Sequence, residues 1–107
     1  MIPLLRIIQL RLTPGSWFNL VRKSYKECIA GNYFESINLA EKALKINPRA
    51  SEAYRLIGNS YEFLGDEKQE EGDLEKAREF HRMATEAWDK ARKINPLIII
   101  PGYHGYR

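Results

Sequence analysis

Apolar side chains recur at helical spacing along this chain, in four stretches between residues 17 and 96. The stretch ALKINP at 43–48 returns as ARKINP at 91–96, so that the two prolines are 48 residues apart. Each proline ends a helical pattern, because proline cannot continue a helix. The pattern therefore predicts an all-α fold in which one unit, a pair of antiparallel helices, occurs twice.

The first unit is predicted to be a hairpin over residues 16–48. Ser16 can cap a helix that begins near residue 17, and Gly31 is placed to end that helix. Asn32 can cap the second helix, and Glu35 three residues later completes a capping-box pattern.

The second unit is predicted over residues 51–96. Ser51 can cap its first helix, which contains a glycine, Gly58, on its apolar stripe. A glycine inside a helix costs about 1 kcal/mol relative to alanine. We therefore expect another backbone to approach closely at Gly58.

A Gly-Asp pair occurs twice in the middle of this unit, at 65–66 and again at 72–73. Seven residues are about two helical turns. If both arms grew by that amount, the turn would lie at Gly72 and Gly65 would lie inside a lengthened helix. The alternative is a normal turn at Gly65 followed by a polar loop, which the wholly polar DEKQEE segment favours. We predict the lengthened hairpin.

These residues resemble the tetratricopeptide repeat (TPR) family, whose unit is a helix hairpin of ~34 residues. The second unit, with a 48-residue spacing, would then carry an insertion of about fourteen residues. Its matching positions are Tyr54, Ile57, Gly58 and Tyr61 in the first helix, and Ala84, Trp88, Ala91 and Pro96 in the second.

The first unit fits the family pattern more loosely. Ser24 stands in place of the glycine, Ser36 is the first small residue of the second helix, and Ala40 stands where a larger side chain is usual. The resemblance covers about residues 17–96. It implies a short TPR-like α-solenoid of two stacked hairpins, 16–48 and 51–96, in a domain spanning 16–96.

In the TPR family the first helices of the units line a concave groove that holds an extended peptide. Arg55 and Asn59 are four residues apart and share a helix face, where asparagine could bond a peptide backbone and arginine a carboxylate. Carried over by position, the partner-binding residues are Phe18, Val21, Tyr25, Glu52, Arg55, Asn59 and Glu62.

Charge is distributed unevenly along the chain, although the net charge is only +3. Residues 1–26 carry basic side chains and no acid, whereas residues 62–79 are mainly acidic. Solvated helix faces explain this pattern; head-to-tail contact between copies, or an orienting field for a charged partner, would also produce it. Basic and aromatic residues alternate in 16–26, which is a modest form of a nucleic-acid-binding pattern.

The residues that could carry catalysis are few and lie in different elements: Cys28, His81 and His104. No motif surrounds any of them, and no phosphate-binding loop or metal-ligand spacing is present. We expect Cys28 to be a small core residue and His81 to be solvated. We therefore predict no enzyme activity, no cofactor and no metal site. A single cysteine suits a reducing compartment, and a cytoplasmic location is predicted.

Both ends of the chain are apolar: an apolar and basic segment at 1–15 and a tail at 97–107 that begins with LIII. They are predicted to be non-helical or strand-like. Three roles remain open. The ends could cap the hairpins, join copies into a homo-oligomer through residues 1–12 and 97–107, or, for the N-terminal segment, lie on a membrane surface.

The sequence thus predicts a non-enzymatic protein-protein interaction module, a TPR-like adaptor or scaffold that binds a partner peptide or protein in its groove. The first alternative is a self-assembling structural subunit that uses its apolar ends. The second is a small basic protein associated with nucleic acid. Nucleic-acid and membrane contacts are the least favoured of these interpretations.

Overall fold

A computed structural model describes residues 16–100 of the chain. Within this range the polypeptide forms helices and no strands, which confirms the all-α prediction. The helices are α1 (Trp17–Ile29), α2 (Tyr33–Ile46), α3 (Ser51–Glu70) and α4 (Leu74–Ile94).

The helices pack as two stacked hairpins. The first hairpin is formed by α1 and α2, the second hairpin by α3 and α4, and α3 lies at their junction, where it contacts both α1 and α2. The predicted stack of antiparallel hairpins is therefore confirmed. The expected conformations of residues 1–15 and 101–107 lie outside the described residues, and 97–100 are not helical.

The core, within and between the hairpins, is built mainly from small side chains, which lets helices approach closely. Trp88 on α4 is its largest buried member, at 3% exposure, and Leu56 on α3 is buried to 2% exposure. The other buried apolar residues are Cys28, Ile37, Ala40, Ala43, Ala50, Ala53, Ile57, Leu64, Ala77, Ala84, Ala87 and Ala91.

The turn of the second hairpin lies at Gly72, and Gly65 is inside α3. Gly72 and Gly31, the glycine of the first turn, both have φ of 85°, a left-handed conformation that favours glycine. Helix α3 has 20 residues against 13 in α1, and α4 has 21 against 14 in α2. Both arms are thus seven residues longer, so the lengthened hairpin is confirmed and the polar loop is wrong.

Two of the three predicted N-caps differ from the structure. Ser16 does cap α1, since its hydroxyl accepts a hydrogen bond from the Asn19 amide at 3.3 Å. Asn32 occupies the N-cap position of α2 but makes no capping hydrogen bond; its side-chain nitrogen donates to the Glu27 carboxylate at 2.8 Å. The capping box is therefore wrong. Ser51 is the first helical residue, and the cap position before it is an alanine.

The expectation of a close backbone at Gly58 is also wrong. A Cβ atom at Gly58 would collide with the indole ring of Trp88 on α4. The glycine is thus needed to admit a large side chain from the facing helix. The indole Nε1 then donates to the Asn59 side-chain oxygen at 3.0 Å.

Candidate functional site

A groove of about 350 Å³ runs between the first helices of the two hairpins, α1 and α3. The side chains from α1 are spaced three and four residues apart, so one helix face supplies most of them. The lining residues are Phe18, Val21, Arg22, Tyr25, Lys26, Glu52, Arg55 and Leu56.

The groove has an apolar floor and two accessible aromatic rings. Leu56 forms part of the floor and is buried, whereas Phe18 is 37% exposed and Tyr25 is 50% exposed. The ring of Phe18 meets the Trp17 ring edge to face, with centroids 6.0 Å apart. Aromatic rings with this exposure, set in a hollow, can cover an apolar side chain of a binding partner.

The rim of the groove is cationic. Arg22, Lys26 and Arg55 line it, against a single acidic residue, Glu52. The Arg55 guanidinium donates twice to one Glu52 carboxylate oxygen, from Nη2 at 2.6 Å and from Nε at 3.0 Å. This pairing leaves the two α1 cations as the excess charge, which favours acidic ligands.

The structure brings five of the seven predicted groove residues together: Phe18, Val21, Tyr25, Glu52 and Arg55. It does not bring Asn59 and Glu62 to the groove lining. The Asn59 oxygen accepts the Trp88 hydrogen bond, and Glu62 lies in a cluster with groups from the lengthened part of the second hairpin.

The position-by-position prediction missed three lining residues, Arg22, Lys26 and Leu56. The signal was available in the sequence: each directly follows a predicted groove residue, Val21, Tyr25 or Arg55. A groove formed by two neighbouring helices collects side chains from a wider arc than the single stripe that the resemblance implied.

The predicted core role of Cys28 is confirmed. Its thiol is buried, and the Ser60 hydroxyl donates to Sγ at 3.6 Å across the α1–α3 contact. His81 is only partly solvated: its side chain is 30% exposed, and its ring lies against Gly65. His104 lies outside the described residues.

Two tyrosines, Tyr61 on α3 and Tyr33 at the start of α2, have raised pKa values. Burial is the main cause for Tyr61, and the Glu41 carboxylate adds to it. Burial also leads for Tyr33, followed by Glu67. Tyr33 stacks on Phe63 with ring centroids 5.2 Å apart. These phenols therefore stay protonated at neutral pH, and they belong to helix packing rather than to the groove.

Comparison with protein-family models, with curated proteins and with solved structures found no match to this chain. The TPR resemblance thus rests on the residues quoted above. Among residues 16–100, no helix combines the length and the apolar character needed to cross a membrane.

Proposed function

We propose that this chain is a non-enzymatic protein-protein interaction module, a TPR-like adaptor that acts in the cytoplasm. Its groove between α1 and α3 would hold an extended segment of a partner protein. The observation that carries the proposal is the combination, in one hollow, of the exposed rings of Phe18 and Tyr25 with the cations Arg22 and Lys26.

The chemistry of the groove specifies the kind of segment. An apolar side chain would pack on Leu56 between the two aromatic rings, and acidic residues on either side of it would meet the cationic rim. Because a few buried aromatic and arginine contacts dominate most interfaces, Tyr25 is expected to be a main contributor to affinity.

A panel of labelled peptides tests this proposal by fluorescence anisotropy. Each peptide carries one Leu or Phe in an extended sequence, flanked by either Asp and Glu or Lys and Arg. Wild-type protein should bind acidic peptides, and Tyr25→Ala should weaken binding at least about tenfold, or ~1.4 kcal/mol. Lys26→Glu reverses the charge at one position of the rim. It should also weaken peptide binding, and more strongly at low salt than at high salt.

Phe34→Ala is the matched control, because Phe34 is an aromatic residue on α2 that is 65% exposed and lies outside the groove. The Phe34→Ala variant should bind the acidic peptides with the affinity of the wild type. An equal loss of peptide affinity in Tyr25→Ala and Phe34→Ala, or binding of the basic peptides alone, would count against the groove as the binding site. Salt-sensitive binding of arbitrary oligonucleotides in place of peptides would favour the nucleic-acid alternative.

Self-assembly is the second candidate, and the tail favours it. Leu97 and Ile99 are 89% and 81% exposed, whereas Ile100 packs against Ala84 and Trp88. Light scattering of the full chain and of a chain ending at Pro96 separates the candidates. A dimer that becomes monomeric on truncation would favour assembly through the tail; a monomer in both cases would favour the adaptor.

A further inference from the structure

The lengthened part of the second hairpin brings together three side chains of metal-ligand type. Glu62 and Asp66 come from one face of α3, and His81 comes from α4. One ligand atom from each lies within 4.8 Å of the other two. His81 Nε2 lies 3.1 Å from Asp66 Oδ1.

Gly65 creates the seat for this imidazole. It is buried inside α3, and a Cβ atom there would collide with the His81 ring. Glycine within a helix costs about 1 kcal/mol relative to alanine. The ring therefore lies directly against the α3 backbone, beside two carboxylates that are four residues apart on the same face.

We propose that Glu62, Asp66 and His81 bind one divalent transition-metal ion, with Zn²⁺ as the ion that fits best. One imidazole nitrogen with two carboxylate oxygens is a donor set that zinc accepts, with a water in the fourth position. The imidazole discriminates against Mg²⁺ and Ca²⁺, which prefer all-oxygen sites. Bonds of ~2.0–2.1 Å place tetrahedral ligands roughly 3.4 Å apart, close to the nitrogen–oxygen separation seen here.

The site is reachable and its charges balance. The side chains of His81 and Asp66 are 30% and 54% exposed, so an ion can enter from solvent. The two carboxylates neutralise the ion, and the imidazole adds no charge when it is a ligand. Because the ligands come from both α3 and α4, the ion would tie the two arms of the lengthened hairpin together.

Zinc titration of the full chain by calorimetry tests the proposal, after the protein has been passed over a chelating resin. Wild-type protein should bind one Zn²⁺, with a large excess of Mg²⁺ leaving the affinity unchanged. Loss of an outer-shell partner already weakens metal sites ~10–100-fold. His81→Asn, which removes a ligand, should weaken Zn²⁺ at least tenfold.

His104→Asn is the matched control, because His81 and His104 are the chain's only histidines. It should bind Zn²⁺ like the wild type, and ¹⁵N NMR of the rings should show the Zn²⁺-induced shift on His81 alone. Asp66→Asn should also weaken binding. Thermal unfolding adds an independent measure: Zn²⁺ should raise the midpoint of the wild type but not that of His81→Asn.

Three results would overturn the proposal: no saturable Zn²⁺ binding by the wild type, equal affinity in His81→Asn, or an affinity that falls with His104→Asn instead. If the wild type shows no saturable Zn²⁺ binding, the role of His81 is only a direct hydrogen bond to Asp66 between the two helices. Circular dichroism of each variant establishes that it is folded before the titrations are compared.

Discussion

The two hairpins are built from the same sequence unit but join their arms by different means. Ser24 of α1 and Gly58 of α3 are 34 residues apart and hold the same place in the unit. Ala40 of α2 and Trp88 of α4 correspond in the same way, 48 residues apart. The first hairpin thus has a small polar and a small apolar residue where the second has a glycine and a tryptophan.

The first hairpin uses exchanged hydrogen bonds. Ser24 Oγ donates to the Ser36 carbonyl at 2.7 Å, and Ser36 Oγ donates to the Ser24 carbonyl at 2.8 Å. Both residues are completely buried. Side chains this short let α1 and α2 approach closely, while the hydroxyls find partners without water.

The second hairpin uses shape instead. Gly58 leaves a gap in α3, and the Trp88 indole fills it with only 3% of its surface exposed. Large aromatic residues bury more apolar area than any other side chain. The difference teaches that the groove and the main packing contact are separated: α1 exposes Phe18 and Tyr25, while α4 buries its tryptophan in the core.

The largest effect should come from removing that packing contact. Trp88→Ala deletes a buried ring and leaves a cavity opposite Gly58, and such changes cost about 3–5 kcal/mol. It also removes the donor that pairs with the Asn59 oxygen. Chemical denaturation should show a correspondingly lower free energy of unfolding, or loss of the folded state.

Trp88→Phe keeps a six-membered aromatic ring in the core but loses the N–H group together with the rest of the five-membered ring, which fills the gap at Gly58. It should therefore cost less than Trp88→Ala but still destabilise the protein. A Trp88→Ala variant as stable as the wild type would contradict this account of the second hairpin, since the space left at Gly58 would then need no filling.

Much of this fold could be predicted from helical periodicity and from the two turn glycines. The turn at Gly72 was predicted because a hairpin tolerates an insertion only when both arms lengthen together. The observed helix lengths, seven residues greater in each arm, follow that logic. The core role of Cys28 was predicted as well, because a cysteine on a helix is more often a small core residue, and its thiol is buried.

The errors at Asn32 and Gly58 share one physical origin: they depend on which side chain meets a given atom of a neighbouring element. Spacing puts Asn32 at a cap position, but it cannot show that Glu27 will take its amide. It likewise identifies Gly58 as a close contact without showing that Trp88 fills the space. The cluster around His81 stayed unseen because Glu62 and Asp66 join it only once the turn fixes the pairing of α3 with α4.

A smaller effect should distinguish the two glycines of α3. Gly58→Ala places a methyl group against the buried indole, and overpacking costs about 1–3 kcal/mol. The alanine helix propensity returns at most about 1 kcal/mol, so net destabilisation is expected. Gly65→Ala meets the His81 ring, which is partly exposed and can rotate away, so its stability should stay within about 1 kcal/mol of the wild type.

Urea denaturation of both variants measures this pair under identical conditions. Destabilisation of Gly65→Ala as large as that of Gly58→Ala would mean that the His81 contact is as rigid as the core contact. In that case the lengthened part of the hairpin would contribute to stability as much as the part that faces the first hairpin.

The smallest effect should come from the serine pair of the first hairpin. Ser24→Ala and Ser36→Ala each remove one hydroxyl from an exchange whose two oxygens are 3.0 Å apart. A hydrogen bond contributes about 0.5–1.5 kcal/mol net, and alanine recovers part of that through helix propensity. Each single change should therefore cost under about 1 kcal/mol.

Because the hydroxyls contact each other, the double variant should cost less than the sum of the two single variants. A double-mutant cycle by denaturation measures that coupling. Strict additivity would show that each serine acts alone on the opposite carbonyl. Coupling would show that the first hairpin is joined by one shared polar contact, as the second is joined by one shared packing contact at Trp88.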